Sequence, residues 1–301
     1  MNYYLGVDVG TSSVKSLLMD SGGKTVGTSQ IGYDIIKEKL QYAEQDMEKL
    51  WEATKETITD LVKKYPEESA KIHGISYSGQ MHGLVMIGAD GKLIRNAIIW
   101  ADQRSEKEIQ KIYDITGKDT YRGTVLNSLS TGFLISSLMW VKEHEPENFA
   151  KITKIMLPKD YLAYKLSGSF CTDVSDASGM LLMDVKNRCW SKEMMDICGI
   201  TEDKLPKLYE SFEVVGTLKK EVADELGFSE NVKVIAGAGD NAAAAVGTGT
   251  VGDGMCNISL GTSGTIFISS NKFGVDENNA LHSFAHADGH YHLMGCMLSA
   301  A

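Results

Sequence analysis

Gly6-Val7-Asp8-Val9-Gly10-Thr11-Ser12-Ser13-Val14-Lys15 is the stretch on which the fold turns. An apolar strand runs into Gly-Thr-Ser, and a second apolar strand resumes after it. The phrase returns as Asn257-Ile258-Ser259-Leu260-Gly261-Thr262-Ser263-Gly264-Thr265-Ile266, with Gly10 and Gly261 251 residues apart. Glycine lets the backbone approach an anion closely, and the adjacent amides and hydroxyls then donate to phosphate oxygens. One such turn reads equally well as a plain tight hairpin. Two copies, each between apolar strands, point to two phosphate-gripping turns on two related halves. Only the first copy carries a carboxylate, because Asp8 is replaced by Ser259 in the second. A single carboxylate beside a phosphate loop suits Mg²⁺; the alternative for Asp8 is a strand-end acid capping a turn.

The bulk properties fit this reading. A chain of 301 residues suits two domains. Its 43% hydrophobic and 23% charged residues are those of a soluble globular protein. A net charge of −10, from 40 acids and 30 bases, argues against a nucleic-acid partner. Cys171, Cys189, Cys198, Cys256 and Cys296 form no C-x-x-C pair, so they read as reduced thiols of a cytoplasmic protein. The first residues show no signal peptide, and no window reaches the ~18 apolar residues of a membrane span. The sequence leaves the oligomeric state open, a homodimer being one arrangement.

Working outward, Tyr3 to Val9, Val14 to Met19 and Lys24 to Ile31 read as three strands with short turns. Asp46 to Tyr65 is the clearest helix, with Met47, Leu50, Trp51, Thr54, Ile58, Leu61, Val62 and Tyr65 on one face and Asp46 as N-cap. Ile72 to Tyr77 reads as a buried strand, followed by the loop Ser78-Gly79-Gln80-Met81-His82-Gly83. Leu84 to Ile87 and Leu93 to Trp100 read as a hairpin. Helical runs follow at 104–115 and 130–143, and Pro158 suits the first turn of a helix over 159–166. Val232 to Ala236 is a strand, and Asp240 to Val246 opens an Ala-rich helix. The fold class is α/β, a mixed sheet flanked by helices.

Several residues carry chemistry. In Gly237-Ala238-Gly239-Asp240-Asn241 a strand ends on small residues and an acid stands at the mouth of a helix. Asp240 reads either as an N-cap or as a general base taking a hydroxyl proton in phosphoryl transfer. Gln80 and His82 offer polar contacts suited to sugar hydroxyls, against the plainer reading of an incidental loop histidine. Trp100 suits a sugar face, with Asp102 and Arg104 at its rim; the plainer reading is a core tryptophan beside a surface ion pair.

Together these motifs resemble the FGGY family of carbohydrate kinases, and the likeness runs the whole chain. Asp8 to Ser12 resembles the family's first phosphate motif and Leu260 to Gly264 its second. Ser78 to Gly83, Ile99 to Arg104, Leu157 to Leu162, Ser175 to Gly179, Gly239 to Ala243 and Met297 to Ala301 match further segments. The Gln-Met-His-Gly loop is the most specific, and resembles members acting on D-xylulose. The phosphate motifs are shared with other actin-like ATPases, and so carry fold rather than substrate.

The resemblance implies an actin-like fold with two ribonuclease-H-like domains, the first over residues 1–247 and an incomplete second over 248–301. It implies transfer of the γ-phosphate of ATP to the 5-hydroxyl of D-xylulose, with Mg²⁺ as cofactor. By position it makes Asp240 the catalytic base. It sets Gln80, Met81, His82, Trp100 and Asn241 beside the sugar, and Asp8 near the metal. Gly10, Thr11, Ser12, Gly261, Thr262 and Ser263 fall near phosphates. Two departures stand out. Ser137 replaces the family's usual lysine at a position read as structural. Family members also continue well past residue 301, so this length reads as a cloned piece or a truncated product, able to bind sugar but turning over poorly. The rival readings are an FGGY kinase for ribulose, glycerol or gluconate, a non-catalytic sugar-binding module, and an actin-like chaperone or filament ATPase.

Overall fold

The structure is a computed structural model describing residues 1–117, 127–260, 264–276, 278 and 280–297. The chain opens with β1 (Tyr3–Val9), β2 (Ser13–Asp20) and β3 (Thr25–Gly32), an antiparallel meander. The two-residue β4 (Glu44–Gln45) leads into α1 (Met47–Lys64), and β5 (Ile72–Gly79) returns parallel to β1. Short strands β6 (Val85–Ile87) and β7 (Ala97–Ile98) precede α2 (Glu106–Thr116) and α3 (Leu134–His144). Next come β8 (Lys154–Met156), α4 (Pro158–Ser167), β9 (Cys171–Asp173) and α5 (Val174–Ala177). The main sheet is completed by β10 (Val214–Thr217), β11 (Lys233–Ile235) and β12 (Ala238–Gly239), from which α6 (Asp240–Gly247) departs.

In that sheet the order is β10-β11-β5-β1-β2-β3, with β12 also pairing β5. The strands β1, β5, β11 and β12 run parallel, and the flanks are antiparallel. A second, antiparallel sheet follows, in the order β13 (Cys256–Leu260), β14 (Gly264–Ser270), β16 (Tyr291–Met297), β15 (His282–Ala285). Among the described residues no helix is long and apolar enough to cross a membrane.

The α1 helix forms where the periodicity places it. Asp46 Oδ1 accepts from the amides of Glu48 and Lys49 at 2.9 and 3.3 Å, which satisfies two of the free donors of the first turn. Its apolar face, Met47, Leu50, Trp51, Ile58 and Leu61, is buried against β2 and β3, together with Leu5, Val7, Val14 and Leu18 of the sheet. Two buried hydroxyls, Ser16 and Thr57, pair at 2.7 Å across that interface.

One expectation holds only in part. Leu84 to Ile87 and Leu93 to Trp100 are joined by isolated antiparallel bridges, Ile87 with Leu93 and Leu84 with Ile98, and by the Ile94 amide on Met86 O at 3.0 Å, but form no continuous ladder. Instead β6 pairs with β8 and β7 with β4. Both strands are buried on both faces, so no hydrophobic alternation marks their partner, and segments distant in sequence complete them. Pro158 is itself the first residue of α4, where its missing amide costs nothing.

Replacing Asp46 by Ala is expected to cost about 1 kcal/mol, the usual worth of such a cap. A urea melt at unchanged slope would show it as a lower midpoint; an unmoved midpoint would contradict the capping role.

Candidate active site

Register brings the site together. Asp8 lies opposite Ser78, and Ser78 opposite Ala238; Val9 lies opposite Gly79, and Gly79 opposite Gly239. Three parallel strands therefore end level, and Gln80 and Asp240 leave the sheet beside Asp8. The carboxyl edge of parallel strands is where open α/β sheets bind ligands. A cleft of about 690 Å³ opens there, lined among others by Asp8, Lys15, Ser78, Gly237, Ala238 and Val246. Two glycines make the approach possible. Gly237 has φ +75°, and a Cβ there would lie 2.1 Å from the Tyr77 carbonyl oxygen; one on Gly79 would lie 2.8 Å from Lys159 Cβ.

The turn between β1 and β2 is held by its carbonyls. Gly10 O accepts from the Tyr33 hydroxyl at 2.5 Å, Thr11 O from Gln45 Nε2, and Ser12 O from the Tyr33 amide at 3.0 Å. A trans peptide points its N–H opposite its C=O. Pinning these carbonyls to the protein turns the Thr11 and Ser12 amides the other way, as an anion would need. Burial, then the Asp8 charge, raises the Tyr33 pKa, so its hydroxyl stays a donor. Asp8 accepts from the Ser78 hydroxyl at 2.7 Å and remains exposed in the cleft. Gly261, Thr262 and Ser263, the second phosphate turn, lie outside the described residues.

In the next loop, Gln80 is turned inward, only 2% exposed. Its Nε2 donates to Gln45 Oε1 at 2.6 Å and Gly10 O at 3.4 Å, and its Oε1 accepts from Thr11 Oγ1 at 3.3 Å. Any part it takes in a sugar site therefore runs through the loop it fixes. Met81 is buried too, packed with Phe267, Phe284 and Met294 of the second sheet. His82 adopts φ 74° and stacks on Phe133, ring centroids 4.0 Å apart. Its Nδ1 lies 2.8 Å from the Gly179 carbonyl oxygen. Burial, with a smaller contribution from His282, lowers its pKa to about 4. The ring is thus neutral, donates through Nδ1, and keeps Nε2 as an acceptor.

Trp100 and its neighbours reverse the plainer expectation. Trp100 is 40% exposed, and its indole N–H donates to Thr11 Oγ1 at 2.8 Å. The ion pair, by contrast, is buried: Arg104 Nε and Nη2 reach the Asp102 carboxylate at 2.9 and 2.7 Å, and Nη2 reaches Glu44 at 2.7 Å. The guanidinium also lies over the Tyr42 ring at 3.5 Å.

Asp240 is not the N-cap. Gly239 holds that position and Asp240 is the first residue of α6. Its Oδ1 accepts from the Asn241 amide at 2.7 Å and from Asn241 Nδ2 at 2.9 Å, while Oδ2 accepts from no described residue. Asp240 keeps solvent-exposed surface, yet the surrounding protein desolvates its charge. With Asp8 adding repulsion, this raises its pKa to about 6.

Beneath these residues lies a cluster to which the sequence assigns no role, with Lys159, Asp160 and Asp176 inside matched segments and Asp173 outside them. Lys159, fully buried, reaches Asp160 at 2.7 Å, Asp173 at 2.9 Å and Asp176 at 3.7 Å. Burial opposes its ammonium, but the three carboxylates outweigh it and hold its pKa well above the usual value. Asp176 is pushed well up, by burial first and then by the charges of Asp160, Asp173 and Asp240 against the pull of Lys159; its oxygens have no hydrogen-bond partner. Asp173 accepts from the Ser175 amide and from the Ser211 hydroxyl, at 2.9 and 2.6 Å. The Ser175 hydroxyl accepts in turn from the Gly239 amide at 3.1 Å. Lys15, opposite Asp8 in register, and Gln45 also escaped assignment: the first was quoted within the motif, the second sits in no motif. Ser137 is fully buried in α3, its hydroxyl unpartnered.

Residues 3–247 match the N-terminal domain of the FGGY family of carbohydrate kinases. Among curated proteins, the Xylulose kinase of Escherichia coli K12 is 40% identical over 299 residues, 99% of this chain and 61% of that protein. Among solved structures, a "xyloylose kinase" from Brucella ovis superposes with a TM-score of 0.96 at 38% identity, covering 99% of this chain and 61% of that one. A gluconate kinase from Lactobacillus acidophilus superposes at 0.91 with 30% identity, covering 97% and 59%. The chain thus spans about three fifths of the length of the relatives it matches.

Carboxyl NMR of the parent is expected to show Asp240 titrating near 6. Asp8→Asn, which removes a repelling charge, should lower that value. Titration of Asp240 near the free-peptide value of about 3.9 would contradict this description of the cleft.

Proposed function

The chain belongs to the FGGY family of carbohydrate kinases, and from that premise we propose that the whole protein transfers the γ-phosphate of ATP to the 5-hydroxyl of D-xylulose. The observation that carries the reading is the single edge on which Asp8, the Gly10–Ser13 turn, the Gln80–Gly83 loop and Asp240 meet. Phosphoryl transfer asks the protein chiefly for positioning and electrostatics, with a base near the acceptor hydroxyl.

Asp240 supplies the base. A carboxylate with a pKa near 6 is ionised at neutral pH, yet is more basic than an ordinary aspartate, and Oδ2 is free to accept the 5-hydroxyl proton. Asn241, whose side chain holds Asp240 Oδ1, fixes the carboxylate's rotation beside the sugar. The Thr11 and Ser12 amides and the Ser12 hydroxyl receive the phosphates, the Thr11 hydroxyl proton being given to Gln80 Oε1. The exposed Asp8 carboxylate is a hard oxygen donor with one hydrogen bond, a fit to Mg²⁺ with several waters retained. Such an ion, when bound, neutralises charge on the phosphate oxygens. Trp100 offers an exposed ring and His82 a neutral acceptor to the sugar. The division at residue 247 is supported by the end of the family match and by the separate second sheet that follows.

The gluconate kinase likeness motivates a second substrate, a sugar acid. The charges favour the neutral sugar. His82 is uncharged at neutral pH, and Arg104 and Lys159 are committed to buried carboxylates. Among the described residues Gln80–Gly83, Trp100–Arg104, Asp240 and Asn241 there is no free cation for a carboxylate ligand, and Lys15, the exposed cation of the cleft, stands opposite Asp8 beside the phosphate turn.

The full gene product should release ADP in a D-xylulose-dependent manner. Asp240→Asn should lower kcat by about 10²- to 10⁴-fold. The parent's kcat/KM should fall as pH drops through about 6, where Asp240 takes up a proton. A variant of full activity, or gluconate as the better substrate, would overturn the assignment.

A further inference from the structure

Gln45 is only 1% exposed and sits between two loops that are separated in sequence. Its Nε2 donates to Thr11 O, and its Oε1 accepts from Gln80 Nε2 at 2.6 Å. The ring closes through Thr11 Oγ1, which donates to Gln80 Oε1 at 3.3 Å. One buried amide therefore holds the turn after β1 and the loop after β5 at the same time.

Its own position is fixed from both sides. Gln45 pairs with Ala97, and Glu44 with Ile98, in the β4–β7 ladder. Glu44 is held by Arg95 and Arg104, and Asp46 caps α1. Its backbone is thus held in the β4–β7 ladder while its side chain spans the two loops. Holding the Thr11 carbonyl also sets the direction of the Ser12 N–H, the opposite end of the same peptide.

We propose that Gln45 is a positioning residue that ties the phosphate turn to the sugar loop, so that the two half-sites keep one spacing. The inference rests on the kinase reading above. It explains why a glutamine stands there. Only a side chain with both a donor and an acceptor can satisfy a carbonyl on one side and an amide N–H on the other. Each half-site keeps its own contacts without Gln45, so ligand affinity should survive while alignment for transfer is lost. A misplacement of about 1 Å costs on the order of 100-fold in rate.

The test uses the full gene product with Gln45→Leu and Gln45→Glu. For Gln45→Leu, kcat should fall by roughly 30- to 100-fold, while D-xylulose affinity by calorimetry stays within about threefold. Amide exchange should accelerate at both Gly10, bonded to Ser13 O, and Gln80, bonded to Val9 O, with α1 unchanged. Gln45→Glu keeps the acceptor and loses the donor, so exchange should accelerate at Gly10 and not at Gln80. Unaltered exchange at both amides in Gln45→Leu, or a retained kcat, would overturn the inference. A parent with no D-xylulose-dependent turnover would instead overturn the kinase reading, and the exchange rates alone would then decide whether Gln45 links the loops.

Discussion

The ammonium of Lys159 is buried among Asp160, Asp173 and Asp176, and the active-site edge is built over it. A buried charge is tolerable only when paired, and removing one member of such a group typically costs about 3–5 kcal/mol. Here the pairing does more than neutralise. Lys159, in the first turn of α4, lies against Gly79 at the end of β5, where only a glycine leaves room. Asp173, held by Lys159 on one oxygen, uses the other to orient Ser175 and Ser211. Ser175 then holds the Gly239 amide, one residue before Asp240. The proposed base thus stands on a short chain of hydrogen bonds rooted in one cation.

Two polar systems meet at the edge. The Lys159 cluster supports the Asp240 side from below. On the other side, Arg104, Asp102 and Glu44 lock the segments that carry Trp100 and Gln45, and these reach the Thr11 turn. Both systems are buried, and both spend their charges internally. What they leave open is an exposed indole, an uncharged imidazole, the carboxylates of Asp8 and Asp240, and the exposed Lys15 that stands opposite Asp8 in register. That combination suits a neutral polyhydroxyl acceptor and a metal-bound phosphate, and in the proposed reaction each element has one task.

Much of this was legible in the sequence wherever the signal was local. The strands around Gly-Thr-Ser and the amphipathic face of α1 follow from short-range periodicity, and Asp46 follows from capping chemistry. The resemblance carried by the Gln-Met-His-Gly loop and Gly239-Asp240-Asn241 agrees with the family match over residues 3–247. What was hidden depends on contacts far apart in sequence. The partners of β6 and β7 lie in β8 and β4, and fully apolar strands give no alternation to identify them. The Asp102–Arg104 pair looks like a surface pair until Glu44 and Tyr42 close over it. Gln80 reads as a sugar contact until Gln45, in no motif at all, claims its amide. Asp240 reads as a cap because acids often cap; Gly239 takes that place because the chain leaves β12 already extended, with φ −57° and ψ 147°.

The central claim is that the carboxyl edge of β1, β5 and β12 receives the acceptor sugar with its reacting hydroxyl against Asp240. A crystal structure with D-xylulose bound tests it most directly. The account predicts the sugar between Trp100 and α6, with one hydroxyl oxygen about 2.6–3.2 Å from Asp240 Oδ2. D-xylulose bound elsewhere, or at this edge with no hydroxyl within reach of Asp240, would contradict it.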